Sequence, residues 1–433
     1  MSVEAVGAPG AVRRYRWLVV GVLAVVYTFN FLDRQIISIL GKDISAELHL
    51  TKTQFGLLGG TAFALFYTVC GLPVAWFADR GNRAWIISAA CAIWSVFTAL
   101  CGTAQGFAQI MLFRMGVGVG EAGGSPPSYS LISDYFPARE RGVALAIYSL
   151  GVPLGSMIGA FAGGRVAEAY GWRTAFFAVG APGLVIALIM FLVVREPKRG
   201  GLDTPLDGAT EHEAPPPIHT AVASFFANRT LVLTAISSAL SAFVGYAGLI
   251  WNPQFLEIVK GMSGIQVANY YALTLGVTGV IGTFASGWLV DRLGRRDRRW
   301  FAWVPAICFT LSIPCWLGLL WAPNWQWAML FLAGPLLFNQ TYLAPALTVV
   351  QNAVAPASRT ISGAILLFVL NLVGLGVGPV YVGRIADAME PAHGDKALVY
   401  GFAAVIPMVA LTVAAHLAAA RSIARDKRLA AAL

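Results

Sequence analysis

Ala75-Trp-Phe-Ala-Asp79-Arg80-Gly-Asn-Arg83 returns in the second half of the chain as Gly287-Trp-Leu-Val-Asp291-Arg292-Leu-Gly294-Arg295-Arg296, an offset of about 212 residues from Asp79 to Asp291. A second pair, Gly164-Arg165-Val-Ala-Glu168-Ala and Gly383-Arg384-Ile-Ala-Asp387-Ala, is offset by about 219. Offsets of half a chain length mark the duplication of one large unit, not the short period of a solenoid.

What is duplicated follows from the residues around these turns. The chain has 433 residues, 58% of them hydrophobic and only 12% charged. Soluble domains carry roughly twice that charge, so the composition is that of a polytopic membrane protein. Apolar runs long enough to cross about 30 Å of hydrocarbon lie near 17–40, 53–79, 84–104, 107–135, 141–168 and 172–194. Six more lie near 229–257, 264–291, 300–321, 326–353, 359–387 and 398–421. The expected fold is an all-α membrane protein of twelve transmembrane helices in two pseudo-symmetric six-helix bundles. Residues 1–194 form the first bundle and 229–433 the second with a cytoplasmic tail. Between them, 195–228 contains Glu196-Pro-Lys-Arg-Gly-Gly and Ala214-Pro-Pro-Pro217, a composition that builds no packed core and reads as a cytoplasmic linker. Ile218 to Phe226 is apolar enough to form a short interfacial helix.

The net charge of +9 does not point to nucleic acid, because the basic residues occupy short turns and form no aromatic-interleaved patch. They set orientation. With the N-terminus inside, about 21 of the 30 Lys and Arg fall on the cytoplasmic side, placing both termini in the cytoplasm of an inner or plasma membrane protein. The five cysteines lie inside apolar runs with no metal-ligand spacing, so no metal is expected. No nucleotide-binding lysine loop, HExxH or GxSxG motif occurs, which argues against an ATP-driven pump and against an enzyme. No organic cofactor is expected.

Charges inside spans carry the chemistry. Arg114-Met-Gly-Val-Gly-Val-Gly-Glu121 puts two ions on one helix face, about 10 Å apart along the axis, too far to pair with each other. An isolated charge in hydrocarbon costs at least about 2.5 kcal/mol, so each needs a partner from elsewhere. Asp33 and Arg34 lie about sixteen residues into the first span, at a depth that makes Asp33 a partner for Arg114. Glu121 falls about two turns deeper. Arg34 points about 100° from Asp33, so it either binds a substrate anion or competes for the carboxylates. Asp33 is the expected principal proton-responsive carboxylate and Glu121 the second, with Arg34 and Arg114 as charge partners. In the second half, 300–358 has no Asp, Glu, Lys, Arg or His, and Tyr246, Trp251, Asn252, Asn339, Gln340, Tyr342 and Asn371 are the candidate cavity groups. Gly151, Gly155, Gly159 and Gly163 give the fifth span a smooth face for another helix. Pro126-Pro127 should kink the fourth below Glu121.

The duplicated turn resembles the signature of the major facilitator superfamily, G-x-x-x-D-R-x-G-R-R, which Gly287 to Arg296 matches in full. In the first copy Ala75, Asn82 and Ala84 depart from it. Arg114 with Gly118 and Gly120 resembles the family's R-x-x-x-G-x-G pattern. Phe31-Leu-Asp33-Arg34, Arg114 to Ala122, Ser133-Asp-Tyr-Phe-Pro137, Arg141-Gly142 and Gly171-Trp172-Arg173 look like the Spinster branch, in a bacterial member. The resemblance implies a monomeric secondary transporter working by alternating access. It also implies an amphipathic substrate like a lysolipid or sphingosine phosphate, with protons as coupling ion. Asp79, Arg80, Arg83, Asp291, Arg292 and Arg295 would then act as a conformational gate, with Arg139 and Arg141 among their neighbours. The alternatives are an exporter of drugs or small organic anions and, from another class, a lipid scramblase or membrane receptor.

Overall fold

In the computed structural model the described residues are 9–197, 199, 218–354 and 358–426, which leaves most of the expected linker and the end of the expected tail outside them. Eight stretches are unbroken and apolar enough to cross a membrane. Two of these, Glu140–Val193 and Ile361–Ile423, each hold two spans back to back. Two further spans, at 107–135 and 325–353, are interrupted midway and so fall short of a continuous helix. The total is twelve: α1 (Pro9–Ile39), α2 (52–80), α3 (Arg83–Cys101), α4 (107–135), α5 (138–170), α6 (172–193), α7 (229–259), α8 (264–294), α9 (Trp300–Trp321), α10 (325–353), α11 (359–393) and α12 (397–423). Ile218–Ala227 forms a separate linker helix.

The interruptions in α4 and α10 occupy equivalent places in the two repeats. In α4 a helix ends at Glu121, a turn covers 122–124, and a new helix opens at Ser125 with prolines in its first turn. Pro126-Pro127 therefore breaks the helix instead of bending it, since proline fits a first turn, where amides have no intrahelical acceptor. In α10 the helix stops at Phe338, Asn339–Thr341 makes a tight 3₁₀ turn, and Leu343–Ala353 resumes.

The chain groups into two compact units. The first holds Met1–Leu50, Ala62–Gly208 and Ser263–Gly276, and the second holds Thr51–Thr61, Ala209–Met262 and Val277–Leu433. The opening turns of α2 and α8 thus belong to the unit of opposite number. Both openings begin with a capping box, Thr51 with Gln54 and Ser263 with Gln266, which satisfies the free amides at the helix start. Both then pass through one π-helical turn, Leu57–Thr61 and Val267–Tyr271.

The second duplicated motif explains how each opening is held. Within the second unit, Gly383 of α11 is packed so closely on Lys52 that a Cβ would strike its backbone carbonyl. One turn on, the Asp387 carboxylate accepts from the Lys52 and Thr53 amides at 2.8 and 2.7 Å, and Glu390 pairs with the Lys52 ammonium. Within the first unit, Gly164 of α5 lies against Ala268, and the Arg165 guanidinium donates to Asn269 at 3.0 Å.

Helix α1 lies on α5 through the glycine face the spacing indicates. A Cβ at Gly159 would come within 2.6 Å of the Leu32 carbonyl, and Gly151, Gly155 and Gly163 meet Thr28 and Ile36 in the same row. This seating fixes the rotation of α1 and hence the direction of Asp33 and Arg34. At one end of the same unit, Gly171 takes φ +82°, a left-handed conformation that glycine adopts without strain, and turns α5 into α6. Trp172 and Arg173 then bind Glu47, at 2.5 and 2.9 Å, while the Arg173 guanidinium also donates to the carbonyls of Gly102 and Ala104. These hydrogen bonds hold the Glu47 carboxyl below the usual glutamate range.

Two outcomes are expected. Gly159→Val should prevent α1 from seating and abolish monodisperse protein in size-exclusion chromatography, whereas Gly106→Ala, with open space around it, should not. Arg173→Ala should cost about 1–3 kcal/mol in thermal unfolding, as charged hydrogen bonds to Glu47 and to the turn at Gly102–Ala104 are lost. The share due to Glu47 is present above the unfolded glutamate pKa of about 4.3 and disappears as pH falls through the lower folded value, so the wild-type advantage should shrink in acid.

Candidate functional site

The charged residues of α1 and α4 meet inside the first unit. Asp33 and Arg114 are both buried and lie 4.0 Å apart, so the depth match estimated from helix rise is realised. Asp33 also accepts a hydrogen bond from the Thr98 hydroxyl of α3. Arg34 reaches Glu121 instead, Nε to Oε2 at 2.6 Å, with the glutamate at 0% exposure and the arginine side chain at 14%. The single helix therefore addresses two partners from adjacent residues, Asp33 toward α3 and the upper part of α4, Arg34 toward the break in α4.

Local packing makes this arrangement possible. Gly118 lets α4 approach the backbone of Phe63 in α2, and Gly120 lets it approach the backbone of Trp94 in α3. Three glycines between Arg114 and Glu121 thus remove the bulk that would hold α4 away from both neighbours. Because Glu121 ends the first piece of α4, its side chain sits where the chain turns, not mid-helix.

Around Arg34 the wall is aromatic. Its guanidinium lies over the rings of Phe31, Phe63 and Tyr67 at 4.8, 4.7 and 4.8 Å, and Arg114 lies 5.4 Å from Phe63. Tyr27 stacks on Tyr148 at 4.3 Å, and Tyr129 meets Tyr148 edge-on. Such faces attract a cation and also bury well against apolar ligand. Thr98, Phe63, Tyr67 and the tyrosine cluster are functional neighbours that the sequence reading missed. Some signal was present: Tyr27 and Phe31, and Phe63 and Tyr67, are spaced at i, i+4, and Thr98 continues the buried Cys91–Trp94 face of α3.

The network is only partly satisfied. Among the described residues, Oδ1 of Asp33, Oε1 of Glu121, Nε and Nη1 of Arg114 and Oδ1 of the nearby Asn30 are buried without a hydrogen bond. Such a network has spare donors or acceptors at Asp33, Arg114 and Glu121, which is what partner exchange requires.

The neutral candidates fall in the second unit. Asn339, Gln340 and Tyr342 occupy the break in α10, equivalent in the repeat to the turn at Glu121. Asn339 fits over Gly245 and Gln340 over Gly282. Tyr342 is buried beside Tyr246, and Asn252 is buried with its Oδ1 unbonded among the described residues. Asn371 sits at a π-helical turn of α11 and donates to the Leu367 carbonyl. Trp251 differs from the expectation for a cavity residue. At 0% exposure it donates its indole N–H to the Pro379 carbonyl and meets Phe55 edge-on, which makes it packing between α7, α11 and the start of α2.

The turn motifs are also resolved in part. Arg83 is buried, with Asp134 at 2.6 Å, Glu196 at 2.7 Å and the Ser130 hydroxyl at 2.6 Å, so its carboxylate partners come from α4 and the end of α6. Arg141 donates to the Ser133 and Phe136 carbonyls and closes the end of α4. The side chains of Asp79 and Arg139 lie outside the described residues. Arg80 and Arg292 are exposed and lie along Trp76 and Trp288, and among the described residues Arg80, Asp291, Arg292 and Arg295 form no ion pair.

Two repeated six-helix sets, with equivalent broken helices and buried intramembrane charges in one of them, define a membrane transporter built by duplication. Residues 23–379 match the Major Facilitator Superfamily, and the chain belongs to that superfamily. It is 33% identical over 389 residues to an "MFS-type efflux pump" of Mycolicibacterium smegmatis, covering 89% of this chain and 88% of that protein. It is 28% identical over 398 residues to Protein spinster of Drosophila melanogaster, 88% of this chain and 63% of that one. Among solved structures, a bacterial homolog of the human lysosomal transporter Spinster superposes with a TM-score of 0.86 at 30% identity, over 97% of this chain and 99% of the other. The chain is thus a Spinster-like integral membrane transporter.

The Arg34–Glu121 pair can be tested as a pair. Removing one partner, as in Glu121→Ala, strands a buried charge and should cost about 3–5 kcal/mol in thermal unfolding in detergent. The double variant Glu121→Ala with Arg34→Met should recover part of that loss. Equal losses in single and double variants would contradict the coupling.

Proposed function

We propose that this protein is a proton-coupled secondary transporter of an amphipathic anion such as a lysolipid or sphingosine phosphate. The observation that carries this reading is the Arg34–Glu121 contact inside an aromatic cage. Arg34 is the one network arginine with partial exposure, and its counter-ion is a carboxylate that a proton can neutralise. When Glu121 takes a proton, Arg34 loses the negative charge of that carboxylate while still lying over the faces of Phe31, Phe63 and Tyr67. A phosphate or other anion then replaces the carboxylate, and the cage accepts the adjoining apolar part.

In this scheme Asp33, held by Arg114 and Thr98, is the second protonation point. Loss of its charge frees Arg114 in the same way. Proton binding at Glu121 and anion binding at Arg34 favour each other, so by linkage the anion binds more tightly as pH falls. The neutral amides at the break in α10 supply hydrogen bonds to the uncharged part of the substrate. Both proton and anion would be carried through a cycle of alternating access, with charged turn residues near Arg83 and Arg292 stabilising its states.

Transport of lysophospholipid and of sphingosine phosphate into proteoliposomes, with and without a pH gradient, is the direct test. Wild type should give saturable, gradient-dependent flux. Glu121→Gln should bind the anion with little pH dependence and lose gradient-driven flux, and Asp33→Asn should lose it too. Arg34→Ala should weaken binding at least ten-fold. Gradient-driven flux retained by both carboxylate variants would end this assignment. The efflux-pump relative supports a second reading, export of drugs or small organic anions, which competition by soluble anions in the same assay separates. Flux that neither saturates nor responds to the gradient would favour a scramblase.

A further inference from the structure

A cavity of about 960 Å³ opens within the second unit where the linker helix, the start of α7, the turn before α11 and the end of α12 meet. Arg229, Arg421 and Arg425 line it against a single carboxylate, Asp426, with the hydroxyls of Ser358 and Ser362 between them. All three arginines are exposed, and among the described residues none of their guanidinium groups forms an ion pair or hydrogen bond. Among the described residues, the cavity therefore presents a surplus of positive charge.

Its walls are fixed. Phe225, Leu231 and Ala353 belong to a packed core that also contains Val350, Ala420 and Ile423. Asn228 accepts from the Thr230 and Leu231 amides, so the helix start is already closed, and the guanidinium groups and hydroxyls are what remains for a ligand.

Position selects the kind of anion. The linker helix turns Ala221 and Phe225 inward but leaves Val222 and Phe226 exposed on its other side. A helix apolar on both sides, joined to the ends of two membrane spans, lies at the level of lipid headgroups with its outer face toward acyl chains. Soluble phosphate would not need that apolar border, whereas a phospholipid would.

We propose that this cavity holds the phosphate of an anionic phospholipid, with Arg229, Arg421 and Arg425 around the headgroup and Val222 and Phe226 along its chains. The site is separate from the charge network of α1 and α4. Bound lipid would tie the linker helix to α7 and α12.

Native mass spectrometry of the full chain, titrated with phosphatidylglycerol, phosphatidylcholine or inorganic phosphate, provides the test. Phosphatidylglycerol should be retained in preference to phosphatidylcholine, and the double variant R229Q/R421Q should lower its affinity about twenty-fold, at about five-fold per guanidinium near a surface. R229K/R421K should retain most of the affinity, and the double variant R14Q/R299Q, with the same loss of charge elsewhere, should match wild type. Equal losses in R229Q/R421Q and R14Q/R299Q would overturn the proposal. Equal competition by millimolar inorganic phosphate would show a free-anion site and overturn the assignment to lipid.

Discussion

A charge in hydrocarbon must be met by another charge or by water, and the contact between Arg34 and Glu121 is where this structure meets that demand most directly. Their 2.6 Å separation depends on two close approaches. Helix α1 must seat on the glycine row of α5, which sets the rotation of Arg34. Helix α4 must come close to α2 and α3, which Gly118 and Gly120 allow. The break after Glu121 then lets its carboxylate point from a turn. Small residues, a helix break and an ion pair are thus parts of one solution.

The two repeats use the same frame for different ends. Equivalent breaks in α4 and α10 place Glu121 in one unit and Asn339, Gln340 and Tyr342 in the other. The break in α4 carries a buried ion pair, while the break in α10 presents amides and a phenol. Conversely, the glycine of the second duplicated motif does the same kind of work in α5 and α11, each receiving the opening of another helix, with Arg165 helping in one and Asp387 in the other. Duplication has preserved the packing devices and let the chemistry diverge.

The spans were legible because twenty-residue apolar runs alternate with short charged turns, a signal set by membrane thickness. The Asp33–Arg114 contact was legible too, since helix rise converts sequence position into depth. Arg34 with Glu121 was legible only as one of two alternatives, because the 100° step between neighbours speaks for the Cα and not for the end of a long arginine side chain. The aromatic cage was hidden for another reason. With 25 Phe and 13 Tyr in the chain, ring positions alone do not distinguish a cage from lipid-facing or core residues. Trp251 shows the same ambiguity in reverse, an indole placed by sequence at a cavity and by packing inside a helix junction.

The π-helical turn in α2 adds a consequence of its own. A π turn carries one residue more than the α-helical ladder needs, so it offsets the helix faces on its two sides by about 100°. Gly56 just before it, and Gly59 and Gly60 inside it, face α11 and α7. After it, Phe63 and Tyr67 face Arg34. The surplus residue thus acts as a phase shifter between the glycine face at the start of α2 and the aromatic face further along it.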